Sequence, residues 1–323
     1  MRAALGLTLA LAAGQTSAQS VDRLPRETFD VIPPSERVSG GRGQMAIIQR
    51  GCRVGPTNWA RRRIVDVAAQ EWGAFGFQTF DATVTENRLL PPGVVSDAVN
   101  PPLEAPRAMR LNRRFGVWEN DRRMDASIAG YWSATPDGED VVARQNQQWR
   151  DTDGEAFWVE PWSAAFISWV MCEAGLGDES QFRRSIAHWV YVDQAIEATD
   201  GAAPEAAYVA HEVGEVAVAP GDLICNARAT ARYRTLADRR VDLGRQAPLH
   251  CDIVVRVDAD ALTMAVIGGN VVNGVSLTVA PLAAGDGPLR PTGAYFAHLS
   301  LRADPVEPLA LDGSPTIRAL SQR

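Results

Sequence analysis

A change of hydrophobic period near Pro204 constrains this chain's fold more than any other feature. Before it, apolar residues recur three and four apart, the spacing of a helix with one buried face. Ile64, Val65, Ala68 and Trp72 follow a helix start at Thr57-Asn58 and precede Gly73. Helical signals return over about 125–132 and 140–149. Phe166, Trp169 and Val170 follow Ser163, and Gly175 supplies a helix stop. A last helix is expected over about 180–198, with Phe182, Ile186, Trp189 and Val190 on one side. Beyond Pro204 the chain breaks into short β-branched runs bounded by Gly, Pro or Asp: 216–218, 222–226, 250–257, 262–267, 275–279 and 294–301. Helices first and strands afterwards predict an α+β domain, N-terminal helices packed on an antiparallel β-sheet.

Composition narrows the classes. A hydrophobic content of 46% and charged content of 22% belong to an ordinary soluble protein. The net charge of −7 argues against nonspecific binding to nucleic acid or anionic membranes. All basic residues are arginines, which with the abundant alanine reads as a base-composition bias, so one arginine carries little functional weight. Met1-Arg2, an apolar run over 3–13 and the small residues up to Ala18 predict a signal peptide over 1–18. That run is well short of the roughly 20 residues of a spanning helix, so no stable membrane span remains after cleavage. The expected destination is a bacterial periplasm.

The remaining organisation reads as an extended lead-in (19–55), a domain over 56–302 and a tail over 303–323. An insertion at about 76–124 is broken by Pro91-Pro92, Pro101-Pro102 and Pro106. Cys52, Cys172, Cys225 and Cys251 can pair in an oxidising compartment. Cys225 and Cys251 have two readings: a disulfide between neighbouring strands, or small buried hydrophobes. No Cys-x-x-Cys or zinc spacing occurs, so neither a metal nor another cofactor is expected.

The chemistry centres on Glu160-Pro161-Trp162-Ser163-Ala164-Ala165-Phe166, where an extended approach opens a helix at Ser163. A hydroxyl there meets free backbone N–H groups and the positive end of the helix dipole. Four histidines occur, and His250 begins a strong strand with Asp252 two residues on. Strand alternation puts His250 and Asp252 on one face and Cys251 on the other. Gly268-Gly269-Asn270 ends the next strand, and directly opposed residues on paired strands lie closer than residues two apart on one strand. Asn270 is therefore expected to orient His250 in preference to Asp252. His188 reads either as a residue of a substrate cleft or as a structural hydrogen-bonding histidine, and Trp162 as a wall of the cleft.

Trp162-Ser163, the stretch from Ser185 to Tyr191, Gly221-Asp222-Leu223, His250-Cys251-Asp252 and Gly268-Gly269-Asn270, in that order, resemble the CHAP and NlpC-type papain-like hydrolases. Within that group the likeness is to an exported bacterial domain-of-unknown-function family, number two-two-seven-two. It implies a papain-like fold and cleavage of amide bonds in peptidoglycan or a related envelope peptide. Catalysis would fall to Ser163, His250 and Asn270 or Asp252, and substrate contacts to Trp162, His188 and Tyr191. Serine stands at position 163 where such relatives carry cysteine. Serine does not ionise there as a thiol does, so His250 has to act as a true general base. Three readings of Ser163 stay open: the nucleophile of a serine-variant peptidase or amidase, the relic of an inactive site that binds wall fragments or an envelope partner, or a plain helix cap.

Overall fold

A computed structural model describes residues 21–83, 88–89, 108–109 and 112–321. The expected signal peptide and the centre of the 76–124 insertion lie outside the described residues. Two short strands, β1 (Val38–Ser39) and β2 (Ala46–Ile47), pair with each other, and α1 (Ala60–Ala74) follows. Next come β3 (Gln78–Asp81), the small ribbon of β4 (Arg88–Leu89) and β5 (Ala108–Met109), and β6 (Asn112–Arg114). The helices α2 (Asp125–Trp132), α3 (Gly138–Asp151), α4 (Ser163–Ala174) and α5 (His188–Thr199) complete the first half. Strands β7 (Tyr208–His211) and β8 (Leu223–Ala227), a short α6 (Leu236–Arg240), then β9 (Leu249–Asp258), β10 (Thr263–Val271), β11 (Gly274–Ala283), β12 (Arg290–Pro291) and β13 (Tyr295–Leu301) form the second. A terminal α7 (Pro315–Ser321) closes the chain.

Among the described residues, nine strands make one sheet in the order β6-β3-β11-β10-β9-β8-β13-β7, with β12 beside β11. The pairings are antiparallel except β3 with β11. The architecture is thus α+β with a mixed, mostly antiparallel sheet. Alternation assigns the two faces of its centre. Leu223, Cys225, Cys251, Ile253 and Ile267 join the main core with the helices. Ile224, Val254, Met264 and Val266 form a smaller core on the opposite face.

Helix α4 is the hub. All twelve of its residues are buried, nine of them apolar. It packs against α1 and α2 and against β9 and β10. Gly175, at φ +102°, ends it in the left-handed conformation that favours glycine. The Cys52–Cys172 disulfide ties the far end of α4 to the lead-in. There the buried Arg37 guanidinium also pairs with Glu173.

Several elements differ from the sequence expectations, and two of them, β3 and β6, lie in the expected 76–124 insertion yet join the main sheet. The helix expected from about 180 begins only at His188. Asp178 caps a turn through the Ser180 amide and hydroxyl, and Ser168 holds the Ser185 amide, so the apolar spacing of Phe182 and Ile186 comes from non-helical chain. Residues 216–218 form no strand, whereas β7, too short to stand out by pattern, pairs with β13 at the sheet edge.

Candidate active site

Ser163 is the first residue of α4, and Trp162 takes the N-cap position without a side-chain cap bond. The first helical bond runs from Phe166 N–H to Trp162 C=O at 2.9 Å, which leaves the amides of residues 163–165 without intrahelical acceptors. The hydroxyl does not cap its own helix. It faces two imidazoles: His188 Nε2 at 2.5 Å and His250 Nδ1 at 3.3 Å. Their ring centroids are 5.2 Å apart, one supplied by the start of α5 and the other by the start of β9. Ser163, His188 and His250 are 9%, 4% and 2% exposed. All three line a cleft of about 620 Å³ whose wall also includes Trp189, Arg228 and Asn270.

Asp252, not Asn270, holds the second nitrogen of His250. Its Oδ1 lies 2.9 Å from Nε2. Two positions along a strand separate the Cβ atoms, but a histidine leaning along the strand bridges that gap with its ring. Gly268 clears the space, since a Cβ there would sit 1.9 Å from Asp252 Oδ1. Gly269 in turn lets α4 approach, because a Cβ would meet Phe166 Cβ at 2.5 Å. The Gly-Gly pair thus serves closeness, one glycine toward the carboxylate and one toward the helix. Asn270 follows at φ +54° inside the β-bulge between Gly268 and Val271 and stands in the cleft wall.

Trp162 does not line the cleft. It is fully buried, stacked between Phe75 and Tyr131 with centroids 5.7 Å away on each side. Its indole N–H donates to Glu119 Oε2 at 2.7 Å. Tyr191 is likewise interior: it stacks on Phe182 at 4.9 Å and its hydroxyl bonds His188 Nδ1. Burial holds the Tyr191 phenol well above its ordinary range, so it stays a donor. His188, by contrast, reaches the serine itself. Burial, then the neighbouring His250 and Arg228, push its pKa well below the usual histidine value.

Gly221-Asp222-Leu223 has a structural task. Asp222 gathers Arg61 (2.8 Å), His298 Nε2 (2.9 Å) and the Leu301 amide (3.0 Å). Gly221, at φ +91°, lies where a Cβ would press on Arg61 Cγ at 2.8 Å. His211, paired in register with His298, is also remote from the serine. Cys225 and Cys251 form a disulfide across β8 and β9. Among the described residues no group of three or more His, Cys, Asp or Glu is placed to hold a metal ion. No described helix is long and apolar enough to cross a membrane.

The family model described as uncharacterized protein conserved in bacteria (DUF2272) matches residues 119–296. The chain belongs to that family. No curated protein and no solved structure matches it. The DUF2272 segment contains the whole cluster of Ser163, His188, His250 and Asp252. The lead-in and α1, which brace α4 from outside the cleft, precede the DUF2272 match.

Proposed function

We propose that the protein is an amide hydrolase of the bacterial cell envelope, a serine variant on a papain-like plan, acting on peptidoglycan-type peptides. The observation that carries this reading is the run Ser163 Oγ, His250 Nδ1, His250 Nε2, Asp252 Oδ1 on the wall of an open cleft. In the proposed reaction Ser163 Oγ attacks the amide carbonyl carbon while His250 Nδ1 takes the hydroxyl proton. Asp252 keeps the Nε2 proton in place and stabilises the imidazolium that forms. The carbonyl oxygen gains negative charge at the mouth of α4, where the Ser163 and Ala164 amides are free to donate. Collapse breaks the C–N bond, His250 gives its proton to the leaving amine, and an acyl ester remains on Ser163. Water, deprotonated by His250, then releases the acid and restores the hydroxyl. Two disulfides in the fold support export to an oxidising compartment such as the periplasm.

Purified sacculi and soluble muropeptides provide the test. Wild-type protein is expected to release new free amino groups, and Ser163→Ala none. Binding to sacculi without release by the wild type would replace the enzyme with a wall-binding protein. Neither binding nor release would remove the envelope substrate altogether.

A further inference from the structure

We infer that His188 is a tautomer-locked N–H donor to Ser163, a positioning residue that leaves the serine's own proton to His250. Although His188 is the nearer of the two imidazoles, its surroundings deny it the role of base. The Cys251 backbone amide, which can only donate, points at His188 Nδ1 from 3.2 Å. The β9–β10 register ends at Ile253 opposite Ile267, and the Cys251 amide, two residues beyond, is taken by α5 through His188. The buried Tyr191 hydroxyl also meets Nδ1. A nitrogen that receives a backbone N–H carries a lone pair, so in the neutral ring the proton sits on Nε2. From there it donates to Ser163 Oγ at 2.5 Å.

A hydroxyl that accepts from His188 still has one hydrogen to give, and His250 Nδ1 is the acceptor at 3.3 Å. Asp252, accepting at His250 Nε2, holds that ring in the same tautomer. The two imidazoles therefore carry their protons on the same nitrogen but turn opposite edges to the serine: His188 offers N–H and His250 a lone pair. Protonating His188 would set an Nδ1–H against the Cys251 N–H. Besides Ser163, the groups facing His188 are the phenol Tyr191, the imidazole His250 and the cation Arg228, none of which favours a positive ring.

Histidine tautomers are read by two-bond ¹H–¹⁵N correlation on full-length protein with ¹⁵N-labelled histidine, His188 being assigned through His188→Gln. The expected spectrum shows Nε2 protonated and Nδ1 bare, unchanged down to about pH 5 where an ordinary histidine is charged. A protonated Nδ1 anywhere in that range overturns the inference whether or not the protein is an enzyme. The functional role rests on the reading of Ser163 as nucleophile, and its readout is the rate of Ser163 phosphonylation by a fluorophosphonate. His188→Ala should slow it by about 10²-fold, the scale of a misplaced reacting group, and His188→Gln, which can return an N–H donor, should recover much of the loss. Equal rates in wild type and His188→Ala would leave His188 no positioning role. A wild type that is not labelled at all would defeat the nucleophile while the spectrum still decides the tautomer.

Discussion

Asp252 Oδ1 lies 2.9 Å from His250 Nε2, close enough to fix the tautomer of the ring that faces Ser163, whereas Asn270 sits in a left-handed bulge on the cleft wall. Asp252→Asn should therefore cut the phosphonylation rate of Ser163 by about 10²- to 10⁴-fold, the range of general acid–base assistance. Asn270→Ala should stay within about tenfold of wild type, since it removes no proton-holding bond. Gly268→Ala supplies an independent check. Its methyl would occupy the place of Asp252 Oδ1, so its rate should fall toward that of Asp252→Asn. Equal effects at Asp252 and Asn270 would contradict this assignment.

The element that matters most is α4, because its N-terminus holds the serine and its C-terminal half is tied down far from the cleft. The Cys52–Cys172 bridge closes a loop of sequence separation 120, beside the buried Arg37–Glu173 pair. Removing the bridge as Cys52→Ala/Cys172→Ala should cost about 2–5 kcal/mol in urea unfolding. An unchanged midpoint would show that the lead-in does not hold α4. This bracing was hard to read in the sequence, where residues 19–55 show little periodicity and the two contacts that hold α4, Arg37–Glu173 and Cys52–Cys172, join chain more than a hundred residues apart. The helix mouth itself was legible, because Pro161-Trp162 ends an extended approach and the spacing of Phe166, Trp169 and Val170 begins there. Which way Trp162 faces was not, since a residue just outside a helix has no phase. Only Phe75 and Tyr131 on either side decide that it is core.

Across the whole molecule, the change of period at Pro204 was enough for the α+β class and for most of the central strands. It could not give the parallel β3–β11 pairing or the start of α5, which depend on contacts between distant segments. The later start of α5 also places His188, read in the sequence as either a cleft residue or a structural histidine, at a helix's first residue rather than within it. Buried ionisable groups give the fold two opposed pH dependences. Burial raises the Asp66 carboxyl from 3.8 to about 6 in the folded chain. Its contribution is complete below the unfolded value and is lost as pH rises through about 6. His188 is depressed instead, so its contribution is present above the ordinary 6.5 and is lost as pH falls toward the lower folded value. Asp66→Asn should thus gain on wild type between about pH 4 and 6, by at most about 3 kcal/mol, in urea midpoints measured across that range. A gain confined to lower pH would reverse the sign and contradict the account.

The most direct measurement of the central claim is peptide mapping by mass spectrometry after reaction with a fluorophosphonate. A Ser163 hydroxyl activated by His250 predicts one covalent adduct, on the peptide carrying Ser163, absent from Ser163→Ala and strongly reduced in His250→Ala. No adduct on the native chain, or an adduct on another residue that persists in Ser163→Ala, would contradict it.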